Sequence, residues 1–298
     1  MLIDSSKKIG IVCNDAGGAN QIASLFYSIN RVPNLVIAKG PAEKIWKSFF
    51  PKCIINNFDL KNIAELDYLI TGTGWETEIE IEAIISAKNA QVYCIAVLDH
   101  WTGYPERFKY KDGRSYLPNE IWVNDHYAKD IANKLFKDSL IKQMPDYYCQ
   151  IQVQKINPIN NLTPNQILYI LEPIASKWGD GRAGEFQALD YFFNTLKYFK
   201  FPENLKILLR PHPSEQKSKY LKYLSMHNRV KISSGSLSED ISESRWVFGA
   251  QSYAMYIALQ AKRTVISSLP PCAPNCVLPH KEIKHIKDLI SKNIKVCL

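Results

Sequence analysis

The sequence predicts an α/β protein of two Rossmann-like domains, each with a mostly parallel sheet, whose strand ends face a central cleft. Three observations carry that expectation. Short Val- and Ile-rich runs, apolar on both faces, alternate with helix-like segments, as strands covered on both sides do. The alternation breaks over residues 145–165 and then restarts. The 298 residues, 46% hydrophobic and 22% charged, are enough for two ordinary domains with sizeable cores.

In the first half the expected strands are 8–14, 34–39, 52–56, 67–71, 91–98 and 120–124. Helices are expected between them at 19–30, 42–50, 76–88 and 126–136. This alternation argues for a doubly wound sheet. Residues 145–165 hold three prolines, many amides and no helical period, and read as the interdomain connection. The second half predicts strands at 166–171, 205–210, 229–233, 245–250 and 263–267, and helices at 184–199, 214–225, 252–260 and 281–292. Ligands of such sheets bind at the carboxyl ends of the strands, so each motif is judged by whether it directly follows a strand.

Charge is uneven. Residues 1–163 carry 18 Lys+Arg and 18 Asp+Glu, whereas 164–298 carry 19 and 11, so the second half holds the whole net charge of +8. A basic half suits a phosphate-bearing ligand or an anionic membrane surface. It is also compatible with a plain solvated face, since Lys281, Lys284, Lys287, Lys292 and Lys295 fall on the expected terminal helix. Nucleic acid is disfavoured, because the aromatics sit in loops after strands rather than along a basic stripe. No run of eighteen apolar residues occurs, and the N-terminus reads as a first strand, not a signal peptide. The expected location is cytoplasmic, with peripheral contact to the cytoplasmic membrane face left open. The seven cysteines, Cys13, Cys53, Cys94, Cys149, Cys272, Cys276 and Cys297, are scattered and read as reduced thiols. Cys272 and Cys276, with His280 and His285 nearby, lack the paired spacing of a zinc site, and neither metal nor cofactor is expected.

Six loops carry candidate chemistry. NDAGGAN (14–20) follows the first strand: Gly17 and Gly18 permit a tight turn and close approach, Asn20 lies beyond them, and Asp15 is a candidate base or an N-cap. TGTGWETE (71–78) places Thr73 in a flexible loop, with Glu76 and Glu78 as reserve bases or simple charges at a helix start. LDHWTGYPERF (98–108) crowds Asp99, His100, Trp101, Tyr104 and Arg107 into one loop, where aromatic faces could stack on a sugar ring or pack internally. LEPIASKWGDGRAGE (171–185) offers Glu172, Lys177 and Arg182. LLRPHPSE (208–215) is the most specific: Arg210 ends a strand, Pro211 and Pro213 frame His212, and Ser214 is positioned to cap a helix. In FGAQSYAMYIALQ (248–260), Gln251 and Ser252 open a helix whose N–H groups suit a phosphate, or merely cap it.

The HP motif after a strand, followed by a serine at a later helix start, resembles GT-B glycosyltransferases that use CMP-activated acid sugars. These include bacterial sialyltransferases, polysialyltransferases and capsular Kdo transferases. The resemblance implies a GT-B-like fold, with an acceptor domain over 1–155 and a nucleotide-sugar donor domain over 156–298. It implies inverting, metal-independent transfer of a sialic, nonulosonic or Kdo-type sugar. The acceptor would be a glycan or lipid-linked saccharide of capsule, lipopolysaccharide or glycoprotein. His212 and Ser252 would hold the donor phosphate beside Arg210, Pro213 and Gln251, and Asp15 stands where a Kdo transferase has its base. Asp15 is followed by Ala16, so the acidic-pair-Gly base motif of sialyltransferases is absent. Two alternatives stay open: a sugar-nucleotide epimerase of the UDP-N-acetylglucosamine type, and a non-catalytic component of a polysaccharide assembly complex.

Overall fold

The computed structural model describes residues 6–57, 59–226 and 228–291. The chain divides into two compact units, Met1–Gln150 and Ile151–Leu298. The expected boundary at 155/156 lies five residues further along.

Unit 1 runs β1 (Ile9–Cys13), α1 (Ala16–Ser28), β2 (Leu35–Ala38), α2 (Gly40–Phe49), β3 (Tyr68–Thr71), α3 (Ile79–Asn89), β4 (Tyr93–Leu98), β5 (Glu120–Val123), α4 (His126–Leu135), β6 (Leu140–Gln143) and α5 (Tyr147–Gln154), the last crossing the division between units. Its sheet has the order β2-β1-β3-β4-β5-β6, with every pairing parallel. The strand order reverses between β1 and β3, which makes their loops the ligand-binding position of a doubly wound sheet. Ile9, Ile11 and Cys13 of β1 pack with Ile22 and Phe26 of α1 and Trp46 of α2 in one buried cluster.

Unit 2 runs β7 (Gln166–Ile170), α6 (Gly184–Thr195), β8 (Lys206–Arg210), α7 (Leu221–Met226), β9 (Val230–Ile232), α8 (Leu237–Ser242), β10 (Trp246–Gly249), α9 (Tyr253–Gln260), β11 (Thr264–Ser267), β12 (Lys284–His285) and α10 (Ile286–Leu289). The sheet order is β12-β11-β10-β7-β8-β9, again all parallel, and it reverses between β7 and β10. Phe192, Phe199 and Phe248 join Leu189, Leu209 and Tyr220 in its core.

Several expected elements differ. Residues 52–56 are a loop, not a strand: Ile54 is 77% exposed, and the hydrogen bonds to the edge of β2 run between Asn56 and Val36. The 145–165 connection contains α5. No helix begins at Ser214. The chain makes a tight turn at Lys217–Tyr220, and the helix proper is the short α7. The terminal helix shrinks to α10, because Lys284 and His285 pair with β11 instead. Lys292, Lys295 and Cys297 lie outside the described residues. Edge strand β6 and helix α8 were not anticipated. The capping box of α8, Ser236 with Glu239, was legible as S-x-x-E. Among the described residues, no helix is long and apolar enough to cross a membrane.

Candidate functional site

Three loops meet at the carboxyl edge of unit 1, after β1, β3 and β4. The first two are bound together by a carboxylate that no motif singles out. Glu80, in the first turn of α3, is 1% exposed; its Oε1 accepts from Asn14 N–H at 3.0 Å and its Oε2 from Gly74 N–H at 2.8 Å. One side chain thus ties the β1 loop to the β3 loop. The approach is close enough to need glycine: a Cβ on Gly17 would lie 1.6 Å from Asp99 Oδ2, and one on Gly18 would lie 2.8 Å from Gly72 Cα.

Arg107 is the hub of the cluster. It is 5% exposed; its Nη1 donates to Asp99 Oδ1 at 2.7 Å, to Thr73 O at 3.0 Å and to Thr73 Oγ1 at 3.1 Å, and its Nε donates to Thr102 O. The Thr73 hydroxyl itself donates to Val97 O. Asp15 occupies the N-cap position of α1 but makes no cap hydrogen bond, and its buried Oδ1 has no partner. Burial, then the charges of Asp99 and Glu80, raise its carboxyl to about 8 against the opposing pull of Arg107. Burial also raises Glu80, but two backbone N–H groups stabilise its ionised form. Asp15 has the Gly18 backbone N–H as its stabilising donor against the two that hold Glu80, and its Oδ1 has no partner, so its carboxyl is raised the further of the two. His100 is driven towards its neutral form, chiefly by burial, and its buried Nδ1 is also without a partner.

Other first-half candidates are placed differently from what their motifs suggested. Trp101 and Tyr104 are 5% and 1% exposed. Trp101 Nε1 donates to both oxygens of Asp125, and Tyr104 stacks against Phe136, so neither offers a free ring face. They are internal packing, not a sugar platform. The exposed aromatic is Trp75, which the motif reading left without a role. Glu76 is exposed and precedes α3, and Glu78 sits at the N-cap position of that helix. The buried acid here is Glu80, one further step along the same E-x-E-x-E run. Asn20 lies half-buried on α1.

At the carboxyl edge of unit 2 the loops after β7, β8 and β10 carry the candidates. Glu172 Oε1 accepts from Gln251 N–H at 2.6 Å, and Gln251 Oε1 accepts from Val277 N–H. Burial pushes Glu172 up to about 7; the Gln251 bond opposes this and the Glu215 charge adds to it. Ser252 caps α9 by accepting from Ala254 N–H at 3.3 Å, and its hydroxyl proton remains free to donate. His212 and Pro213 are exposed. Ser214 turns back, with its N–H donating to His212 Nδ1 at 3.3 Å and its Oγ 2.7 Å from the same nitrogen. A backbone N–H only donates, so Nδ1 is the acceptor and the ring proton is on Nε2. His212 is thereby oriented as a neutral donor, and burial lowers its pKa. Glu215 accepts from Tyr220 Oη through both oxygens at 3.0 Å.

Two basic candidates are committed elsewhere. Arg210 pairs with Asp240 at 2.5 Å and donates to Gly235 O at 2.8 Å, tying β8 to the start of α8. Arg182 bridges Asp180 and Asp190 on the surface. A guanidinium already held by a carboxylate is a poor first partner for a phosphate, which corrects the expectation for both. Lys177 is exposed at the base of a small loop closed by its bridge to Ala183.

No protein-family model matches the chain, and no curated protein matches its sequence. Solved structures do resemble it. A UDP-GlcNAc 2-epimerase from Neisseria meningitidis bound to UDP-GlcNAc superposes with a TM-score of 0.61 at 11% identity, covering 91% of this chain and 84% of that one. The S. aureus MnaA–UDP structure gives 0.60 at 11% identity, over 88% and 79%. Anabaena HepE in complex with UDP gives 0.54 at 10% identity, over 87% and 80%. At such identities the likeness concerns the fold: two all-parallel six-stranded sheets with alternating helices, the GT-B-like arrangement of two Rossmann domains.

Proposed function

We propose that this chain is a sugar-nucleotide enzyme. Unit 2 holds the phosphate of a uridine-linked sugar through His212 Nε2–H, the Ser252 hydroxyl and the N-terminal N–H groups of α9. Unit 1 supplies the acid–base group, Asp15. The observation that carries the reading is this one carboxyl at the end of β1, with a buried unpartnered oxygen and a pKa raised to about 8. A group that titrates near neutrality exchanges protons in both directions at working pH. Support for uridine comes from the similar folds, whose structures hold UDP or UDP-GlcNAc.

Epimerisation is the favoured reaction. A proton is taken from a sugar carbon, one is returned to the opposite face, and no atom is gained or lost. Asp15, poised near neutrality, suits one of these two roles, and the other falls to a separate group on the opposite face of the ring. A second reading is transfer of an acid sugar from a CMP donor to a glycan acceptor, with Asp15 as base. It rests on the proline-framed His212 and the Ser252 cap, which follow β8 and β10, the two strands that flank β7 in one sheet.

Thermal melting with UDP, CMP and UDP-GlcNAc tests the reading, since a ligand that binds only the folded state raises its stability by about 2.7 kcal/mol at a hundredfold excess over Kd. UDP and UDP-GlcNAc should raise the transition and CMP should not. Proton NMR of UDP-GlcNAc incubated with the chain alone should then show an epimer. A shift with CMP only would transfer support to the second reading. No shift with any nucleotide at millimolar concentration would remove both.

A further inference from the structure

In unit 2, one lysine beyond the His212 turn is shared by two buried acids. The side chains of Glu185 and Glu215 are 7% and 6% exposed, and Lys219 pairs with both, at 2.8 Å to Glu185 Oε1. Each acid has further donors that favour its ionised form. Ile174 N–H donates to Glu185 Oε2 at 3.0 Å, and Tyr220 Oη donates to both oxygens of Glu215. Two buried carboxylates would repel each other and any other anion nearby, and an ammonium between them offsets that repulsion.

Both acids belong to the loops that carry the candidate anion site. Glu185 stands in the first turn of α6 and holds the loop after β7 through Ile174. Glu215 N–H donates to His212 O at 2.9 Å, which closes the turn that bears the imidazole. The Glu215 charge is felt at His212 and at Glu172. Arg210 and Arg182 are occupied by aspartates, and Lys177 is exposed in the β7 loop. Lys219 and Lys222 both lie over the Phe186 ring, but Lys222 makes no ion pair among the described residues.

We propose that Lys219 keeps the carboxyl edge of unit 2 receptive to an anion: its ammonium, spread over Glu185 and Glu215, screens the charge of the acid beside His212. Lys219 contacts no ligand here. It acts through Glu215, as a positioning residue that sets the local field. The inference deepens the proposed function and rests on it for the identity of the anion, but not for the effect of Lys219 on His212.

Titration of the full chain with UDP and with uridine, together with NMR titration of the His212 ring, tests it. Lys219→Met should weaken UDP about tenfold and leave uridine within about twofold, since uridine carries no charge. His212 should titrate at higher pH than in wild type, because the Glu215 charge that favours its cation is no longer balanced. Lys219→Arg should restore both readings. Lys219→Met combined with Glu185→Gln and Glu215→Gln removes cation and acids together, while the amide oxygens still accept from Ile174 and Tyr220. UDP should then bind at wild-type strength or better, and His212 should titrate at the wild-type pH or below it. Lys222→Met, which removes a neighbouring unpaired charge, should change neither reading. Equal UDP affinity in wild type and Lys219→Met, equal losses of UDP and uridine, or a triple variant as weak as Lys219→Met would each overturn the proposal. If Lys219→Met does not fold, the triple variant decides, and a loss of UDP affinity of about tenfold there overturns it. If the wild type binds no UDP, the nucleotide reading fails by itself, and the His212 titration still judges Lys219: an unmoved titration in Lys219→Met overturns its role.

Discussion

The carboxyl edge of unit 1 is closed and cross-linked, whereas that of unit 2 is open. In unit 1, Glu80 clamps two loops, Arg107 binds a third, and the one acid left over, Asp15, is held protonated by its surroundings. In unit 2, His212 stands exposed on its proline frame, Ser252 caps a helix with its proton to spare, and the nearby acid Glu172 is pinned by a single backbone N–H. Desolvation raises a carboxyl pKa in both places. The difference lies in partners. Unit 1 surrounds its acid with other acids and one arginine, which suits moving a proton. Unit 2 presents neutral donors, which suits receiving an anion.

The sharpest way to break this comparison is Asp15→Asn. Turnover of the nucleotide sugar should fall on the order of 10³-fold, the range for loss of a general acid–base group, while UDP affinity stays within about twofold. A matching loss of UDP binding would erase the distinction between the edges. The same variant has a signature that needs no substrate. The folded chain keeps the Asp15 proton up to about pH 8, whereas an unfolded aspartate releases it near 3.8. Stability contributed by this group is therefore greatest at low pH and declines as pH rises through that window. Asp15→Asn should flatten the decline, melting several degrees above wild type at pH 8.5 and gaining little at pH 4.

Glu80→Ala comes next. It leaves the Asn14 and Gly74 N–H groups buried without an acceptor and should cost about 3 kcal/mol, read as a lower urea midpoint. An unchanged midpoint would mean that the loops are held together by something else. His212→Ala should weaken UDP by about tenfold, roughly 1.4 kcal/mol, with no change in the pH dependence of stability between pH 6 and 8.5 beyond that of one lost imidazole. The smallest effect belongs to Arg182→Ala. Its pairs with Asp180 and Asp190 lie on the surface, where solvent screens them, so stability should hardly change, and UDP affinity should not change. A large loss of affinity there would return Arg182 to the donor site.

Much of the frame was legible in the linear pattern. The apolar runs of β1, β3, β4, β7 and β10 are buried on both faces, so composition alone marks them, whereas β8 buries one face only. The loops that follow them can be named because a parallel sheet sends its chain out at one edge. Within those loops the sequence offered Asp15, Asp99 and Arg107, and His212 and Ser252, as candidates by residue type and position, and their roles remain a proposal. It misjudged Trp101, Tyr104, Arg210 and Arg182, whose side chains are spoken for by Asp125, Phe136, Asp240, and Asp180 with Asp190. Those partners lie 24, 32 and 30 residues away for the first three, and no local spacing announces them.

What the sequence by itself determined, then, is the alternation of strands and helices, the two-part division and the loops in which chemistry would sit, because these follow from periodicity and from glycine and proline. What only the tertiary structure decided is which side chains in those loops remain free. Glu80 and Glu76 look alike in the run E-T-E-I-E, yet one is buried as a clamp and the other faces water. Trp75 and Trp101 are the same residue, yet one is exposed and the other packed. Burial and partnership arise between segments distant in the chain, and they alone set whether a carboxyl holds its proton or an indole offers its face.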